Sequence, residues 1–78
     1  MNVGLEVCRR FAQRTGGNLK YDSNKCKVEL PDAVVEVFPD ARARIYPKGE
    51  NEDKMIKAAE QYTNILREVY LEMGLMKK

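Results

Sequence analysis

Met55, Ala59, Tyr62, Leu66, Val69 and Met73 recur in alternating steps of four and three through the last third of the chain. That spacing predicts one long amphipathic helix, and its apolar stripe must lie against an apolar surface. The surface available is the run of short alternating segments between Leu19 and Tyr46. Together they predict an α+β fold: a helix, a four-stranded antiparallel meander, and a long C-terminal helix packed on one sheet face.

Each element has its own local signal. Over residues 3–15, Val7, Cys8, Phe11 and Ala12 share one helical face, while Arg9, Arg10, Gln13 and Arg14 take the other. Gly16-Gly17 stops that helix, because glycine adopts the left-handed conformation at little steric cost. Leu19-Lys20-Tyr21 reads as a strand, and Asp22-Ser23-Asn24 as the turn after it. Cys26, Val28 and Leu30 alternate with Lys25, Lys27 and Glu29, the period of a half-buried strand. Pro31-Asp32 turns the chain into the β-branched run Ala33–Phe38. Pro39-Asp40 turns it again into Ala41–Tyr46, and Asn51 is placed to cap the long helix, with Gly74 placed to end it. Turns this short force antiparallel pairing, since parallel strands need crossovers of about a dozen residues.

Size and charge narrow the function. A chain of 78 residues reads as a single domain, 1–78, and a domain this small buries only roughly 60% of its unfolded surface. Apolar content of 44% and charged content of 33% fit a globular protein. The formal charge of +2 is spread along the chain, so nucleic-acid binding would need a local patch. No apolar run approaches the ~20 residues of a membrane span, and Met1–Gly4 lacks the basic start of a signal peptide. A cytoplasmic location follows, with no membrane partner. There, Cys8 and Cys26 read as small buried apolar residues, with a disulfide or redox role as the alternative. With no histidine, no metal-ligand spacing, no glycine-rich phosphate loop and a lone serine in a turn, the chain reads as a non-enzyme without cofactor or metal.

Alternation assigns Cys26, Val28, Leu30, Ala33, Val35, Val37, Ala41, Ala43 and Ile45 to the core face. The opposite face then carries Lys25, Lys27, Glu29, Val34, Glu36, Phe38, Arg42, Arg44 and Tyr46, joined by Tyr21. Two helices cannot cover both faces. Aromatic rings among cations on an open sheet can stack on bases while Arg and Lys hold phosphates, so Phe38, Arg42, Arg44, Tyr46, Tyr21 and Lys27 are the candidate nucleic-acid-binding residues for DNA or RNA. The same face could instead be plainly solvated, or could meet a protein partner or a second copy of the chain.

Some of these segments resemble one repeat of the TATA-box-binding protein fold. Val34-Val35-Glu36-Val37-Phe38-Pro39-Asp40-Ala41-Arg42-Ala43 is similar to that family's apolar strand ending in Phe, a tight turn, then a small residue and a cation. Pro47-Lys48-Gly49-Glu50-Asn51-Glu52-Asp53 looks like its turn into the long helix, and Ala58-Ala59, Tyr62 and Ile65-Leu66 like the helix itself. The likeness spans roughly residues 5 to 75 and implies a curved sheet with the long helix on its convex side. It also implies that Phe38, with Tyr21 at the paired position, wedges into DNA base steps. The family joins two repeats where this chain has one, and keeps apolar the sheet positions held here by Glu36 and Arg44.

Overall fold

A computed structural model describes residues 2–77. In chain order it contains α1 (Val3–Thr15), β1 (Asn18–Asp22), β2 (Lys25–Leu30), β3 (Ala33–Val37), β4 (Ala43–Pro47) and α2 (Glu52–Glu72). The strands form one antiparallel sheet in the order β1-β2-β3-β4. This is the expected α+β arrangement, with both helices on the same side of the sheet.

Both helices are capped, α2 by Asn51 as the sequence suggests and α1 by Asn2 in addition. Asn2 Oδ1 accepts the Leu5 N–H at 2.9 Å, and Asn51 Oδ1 accepts the Lys54 N–H at 2.9 Å. Each bond satisfies one of the donors a helix start leaves free. Gly16 closes α1 at φ 72°. Beyond α2, Gly74 sits at φ 73°; its N–H donates to the Leu71 carbonyl, and the Leu75 N–H to that of Tyr70. That pair of bonds is a Schellman motif, which caps the last carbonyls of the helix.

The strand limits shift slightly from expectation. Only Ser23 and Asn24 form the first loop, Asp22 being paired with Lys25, and Ser23 has φ 55°. The β3–β4 loop is a three-residue connection, with the Phe38 N–H bonded to the Arg42 carbonyl and the Ala41 N–H to that of Phe38. Ala41 takes φ 77° there, the left-handed position that such a loop requires. Phe38 therefore closes a loop instead of ending β3, and β4 starts at Ala43, two residues later than the alternation suggests. Pro47 ends β4, which is an edge strand and tolerates the missing donor.

Burial follows the predicted core face. Val28, Ala33 and Val35 are fully enclosed, as are Val7, Cys8 and Phe11 of α1 and Val69 of α2. Ala58, Tyr62 and Leu66 complete the α2 contact, while Met55, Ala59 and Met73 are half-buried along the same stripe. Phe11 and Tyr62 meet edge to face at a centroid distance of 6.0 Å, joining the two helices over the sheet. The Tyr62 hydroxyl donates to the Asp32 carboxylate in the β2–β3 turn, and the Tyr70 hydroxyl to the Ala41 carbonyl in the β3–β4 turn. The middle and the C-terminal end of α2 are thereby each tied to a hairpin turn. Burial pushes the Tyr62 hydroxyl up to about 12, helped by its hydrogen bond to Asp32 and that group's negative charge.

The α1 N-terminus is set against the β3–β4 loop. The Gly4 N–H donates to the Pro39 carbonyl at 3.1 Å, and a Cβ on Gly4 would stand 1.8 Å from the Phe38 carbonyl oxygen. No other residue fits at that approach.

One expectation is corrected in the core. Cys8 and Cys26 are both buried, as read from the sequence, but they are bonded to each other rather than free. Cys8 lies on the apolar face of α1 and Cys26 on the inner face of β2, and packing the helix on that strand brings the two sulfurs together. Among the described residues no helix is long and apolar enough to cross a membrane.

Candidate nucleic-acid interface

The shortest dimension of the molecule is 18 Å, room for two layers and no third. The face of the sheet away from the helices therefore stays uncovered. Strand register arranges it in rows. Lys20, Lys27, Glu36 and Arg44 lie side by side across the four strands, and Asn18, Glu29, Val34 and Tyr46 form the next row. Asp22 and Lys25 begin a third, which Phe38 continues beyond the end of β3.

Phe38, Arg44, Tyr46 and Lys27 are brought onto this face as expected, with Arg42 at its margin. Tyr21 is not. It pairs with Cys26, and Leu19 with Val28, so β1 turns Tyr21 to the helix side and presents Lys20 and Asp22 outward. The physical reason is the two-residue loop: adding Asp22 to the ladder sets the register and, with it, the face of every β1 side chain. Tyr21 remains 64% exposed on the outermost strand.

Charge divides the face in two. On the β1–β2 half every cation is paired: Lys20 with Glu29 at 3.2 Å, Lys25 with Glu36 at 2.8 Å, and Lys27 with Asp22 at 3.2 Å and Glu36 at 3.9 Å. Glu36 is only 7% exposed, covered by these lysine stems. The hydrogen bond from Lys25 holds its carboxyl below the usual carboxylate range against the opposing effect of burial, and the Tyr46 hydroxyl and the Lys27 charge act in the same direction. The same bond raises Lys25 above its ordinary value. Lys27 is thus held by carboxylates and is not free for phosphate.

The β3–β4 half differs. Phe38 is half-buried, with the Arg44 guanidinium and the Lys25 ammonium each 5.8 Å from its ring centre. Such cation–ring contacts hold the ring in place. Arg44 has no carboxylate partner among the described residues. Among the described residues Arg42 pairs only with Asp40 in its own loop, at 2.7 Å, while its side chain is 81% exposed. An ion pair so exposed is worth little and opens easily. A shallow cleft of about 310 Å³ lies between Phe38, Arg42, Ala43 and Arg44. Tyr46 stands beside Val34 with 46% of its surface exposed. An aromatic floor flanked by two available guanidiniums can stack a base and hold its phosphate.

The basic strip on α1 has a different role. Arg10 bonds Glu6 and Glu72, and Arg14 bonds Glu68 and Glu72. The pairs with Glu68 and Glu72 fasten α1 to the antiparallel α2, which leaves Arg9 as the one of the three without an ion-pair partner among the described residues.

No family model, curated protein or solved structure matches the chain.

Proposed function

We propose that this protein is a small non-catalytic binding module that contacts nucleic acid through the β3–β4 half of its uncovered sheet face. The observation that carries the reading is Phe38 seated between Arg44 and Lys25, with Arg42 and Tyr46 alongside. Arg44 and Arg42 hold phosphates, and Phe38 and Tyr46 supply stacking surfaces. Tyr21 drops out of the set, and Lys27 supports Glu36 instead of contacting a ligand. The likeness of residues 34–43 and 47–53 to a TATA-box-binding protein repeat, together with the helix–meander–helix order, supports the same partner class. With Tyr21 on the other face, Phe38 has no aromatic mate for a paired wedge, so we favour weak contact over sequence-specific kinking.

Titration of labelled duplex and single-stranded DNA and RNA, at two salt concentrations, tests this directly. Binding should weaken as salt rises and should be lost in the double variant Arg42→Ala with Arg44→Ala. Absence of binding at low salt, or an unaffected double variant, removes the reading. A second reading rests on the Val34–Tyr46 cross-strand pair, an apolar strip next to the free edge of β4 that a second copy could cover. A dimer in solution that dissociates on Tyr46→Glu would favour it, and a monomer at high concentration would exclude it. We assign the module to the cytoplasm, where a nucleic-acid partner is present. The disulfide withdraws the support that free thiols would have lent that assignment.

A further inference from the structure

We infer that the Cys8–Cys26 disulfide is a thiol-exchange site, entered at Cys26 and reducible by a small dithiol while the domain stays folded. The two cysteines are not equivalent in their surroundings. Cys8 is fully enclosed beneath α1, whereas Cys26 retains 3% exposure and lines a cleft of about 170 Å³. Leu5, Tyr21, Val37 and Pro39 form much of the remaining wall. Those side chains suit the carbon chain of a short dithiol and set no charge against an incoming thiolate. Tyr21, on the outermost strand and 64% exposed, can swing aside without disturbing the core.

Which sulfur is attacked in an exchange reaction depends on access, and Cys26 is the cysteine of the pair that lines the cleft. A dithiol thiolate attacks the Cys26 sulfur, forming a mixed disulfide, and the Cys26–Cys8 bond breaks with Cys8 leaving as the thiolate. The second thiol of the reagent, after losing its proton, attacks its own linked sulfur and releases Cys26 as a thiolate. The reagent ends as a cyclic disulfide, and the protein gains two electrons and, on protonation, two thiols. The inference is independent of the nucleic-acid reading.

The test is reduction of the oxidised protein by dithiothreitol under native conditions, followed by acid quench and mass measurement. The rate should rise in proportion to dithiothreitol and should stay flat across sub-denaturing urea, because no unfolding precedes attack. Tyr21→Ala should speed the reaction several-fold, with the urea dependence still flat. In the fully reduced wild-type protein, brief treatment with iodoacetamide should label Cys26 at least about tenfold faster than Cys8, as expected when access selects the reacting thiol. A rate that saturates with dithiothreitol and climbs steeply with urea would show that only the unfolded chain reacts. Labelling of Cys8 as fast as Cys26 would overturn the assigned point of entry.

Discussion

Replacing Glu36 by Gln should strengthen nucleic-acid binding, because it removes a negative charge from the uncovered face while keeping the shape of the side chain. In the native protein Lys25 is held by Glu36 at 2.8 Å, whereas Lys27 keeps a second partner in Asp22 at 3.2 Å. The cations available to phosphate are therefore Arg42 and Arg44. Two neutralised phosphates on duplex DNA give a slope of about −1.8 for log K against log salt, or about 12-fold loss between 50 and 200 mM. Glu36→Gln frees Lys25, which makes three phosphates, a slope of about −2.7 and about 40-fold loss over the same interval. Fluorescence anisotropy with a labelled oligonucleotide across a salt series reads both slopes, and far-UV circular dichroism checks that the variant is folded. A folded variant with an unchanged or shallower slope would refute the idea that Glu36 occupies a cation the ligand could use.

Four further outcomes follow from the packing. Loss of the disulfide, in Cys8→Ala with Cys26→Ala, opens a loop of sequence separation 18; chain entropy puts the cost at about 3 kcal/mol, a fall of about 12–24 °C in thermal midpoint for a domain this size. Gly4→Ala improves helix propensity by about 1 kcal/mol yet should destabilise, because its Cβ would strike the Phe38 carbonyl; urea denaturation decides the sign. Leu66→Ala should cost on the order of 2–5 kcal/mol in the same assay, and a loss near zero would mean the α2 stripe does not face the sheet. Tyr62 has a folded-state pKa raised from 10.0 to about 12, so its contribution is complete below pH 10 and is lost as pH rises through about 12. Alkaline titration at 295 nm should show that late tyrosine disappear in Tyr62→Phe.

Much of the fold was legible because local signals agreed with one another. The α2 stripe, the period-two strands and the Pro-Asp turns all pointed to the same core face, and Val28, Val35 and Leu66 lie where those periods placed them. Asn2 is a cap that helical periodicity does not reveal, although its type and position carry the signal. Tyr21 differs from expectation because its face depends on whether the loop that follows β1 holds two residues or three, and both fit Asp22-Ser23-Asn24. The disulfide was open to discovery: Cys8 and Cys26 each sat on an apolar face predicted to meet the other, but composition alone favours free thiols in a cell interior. The ion pairs between α1 and α2 needed the third dimension. Arg10 and Arg14 find Glu68 and Glu72 across more than fifty residues of sequence, and no pattern within α1 reveals them. For the same reason the carboxylates that hold Lys27, Asp22 and Glu36, meet it only through strand pairing in the folded sheet.

The uncovered β3–β4 face is the centre of the account, and amide chemical-shift mapping during titration with a short oligonucleotide tests it most directly. The shifts should concentrate at Phe38, Arg42, Arg44 and Tyr46, with the outer face of α2 and the Tyr21 amide unchanged. Shifts gathered on α2 or around Arg9 instead, or none at low salt, would contradict it.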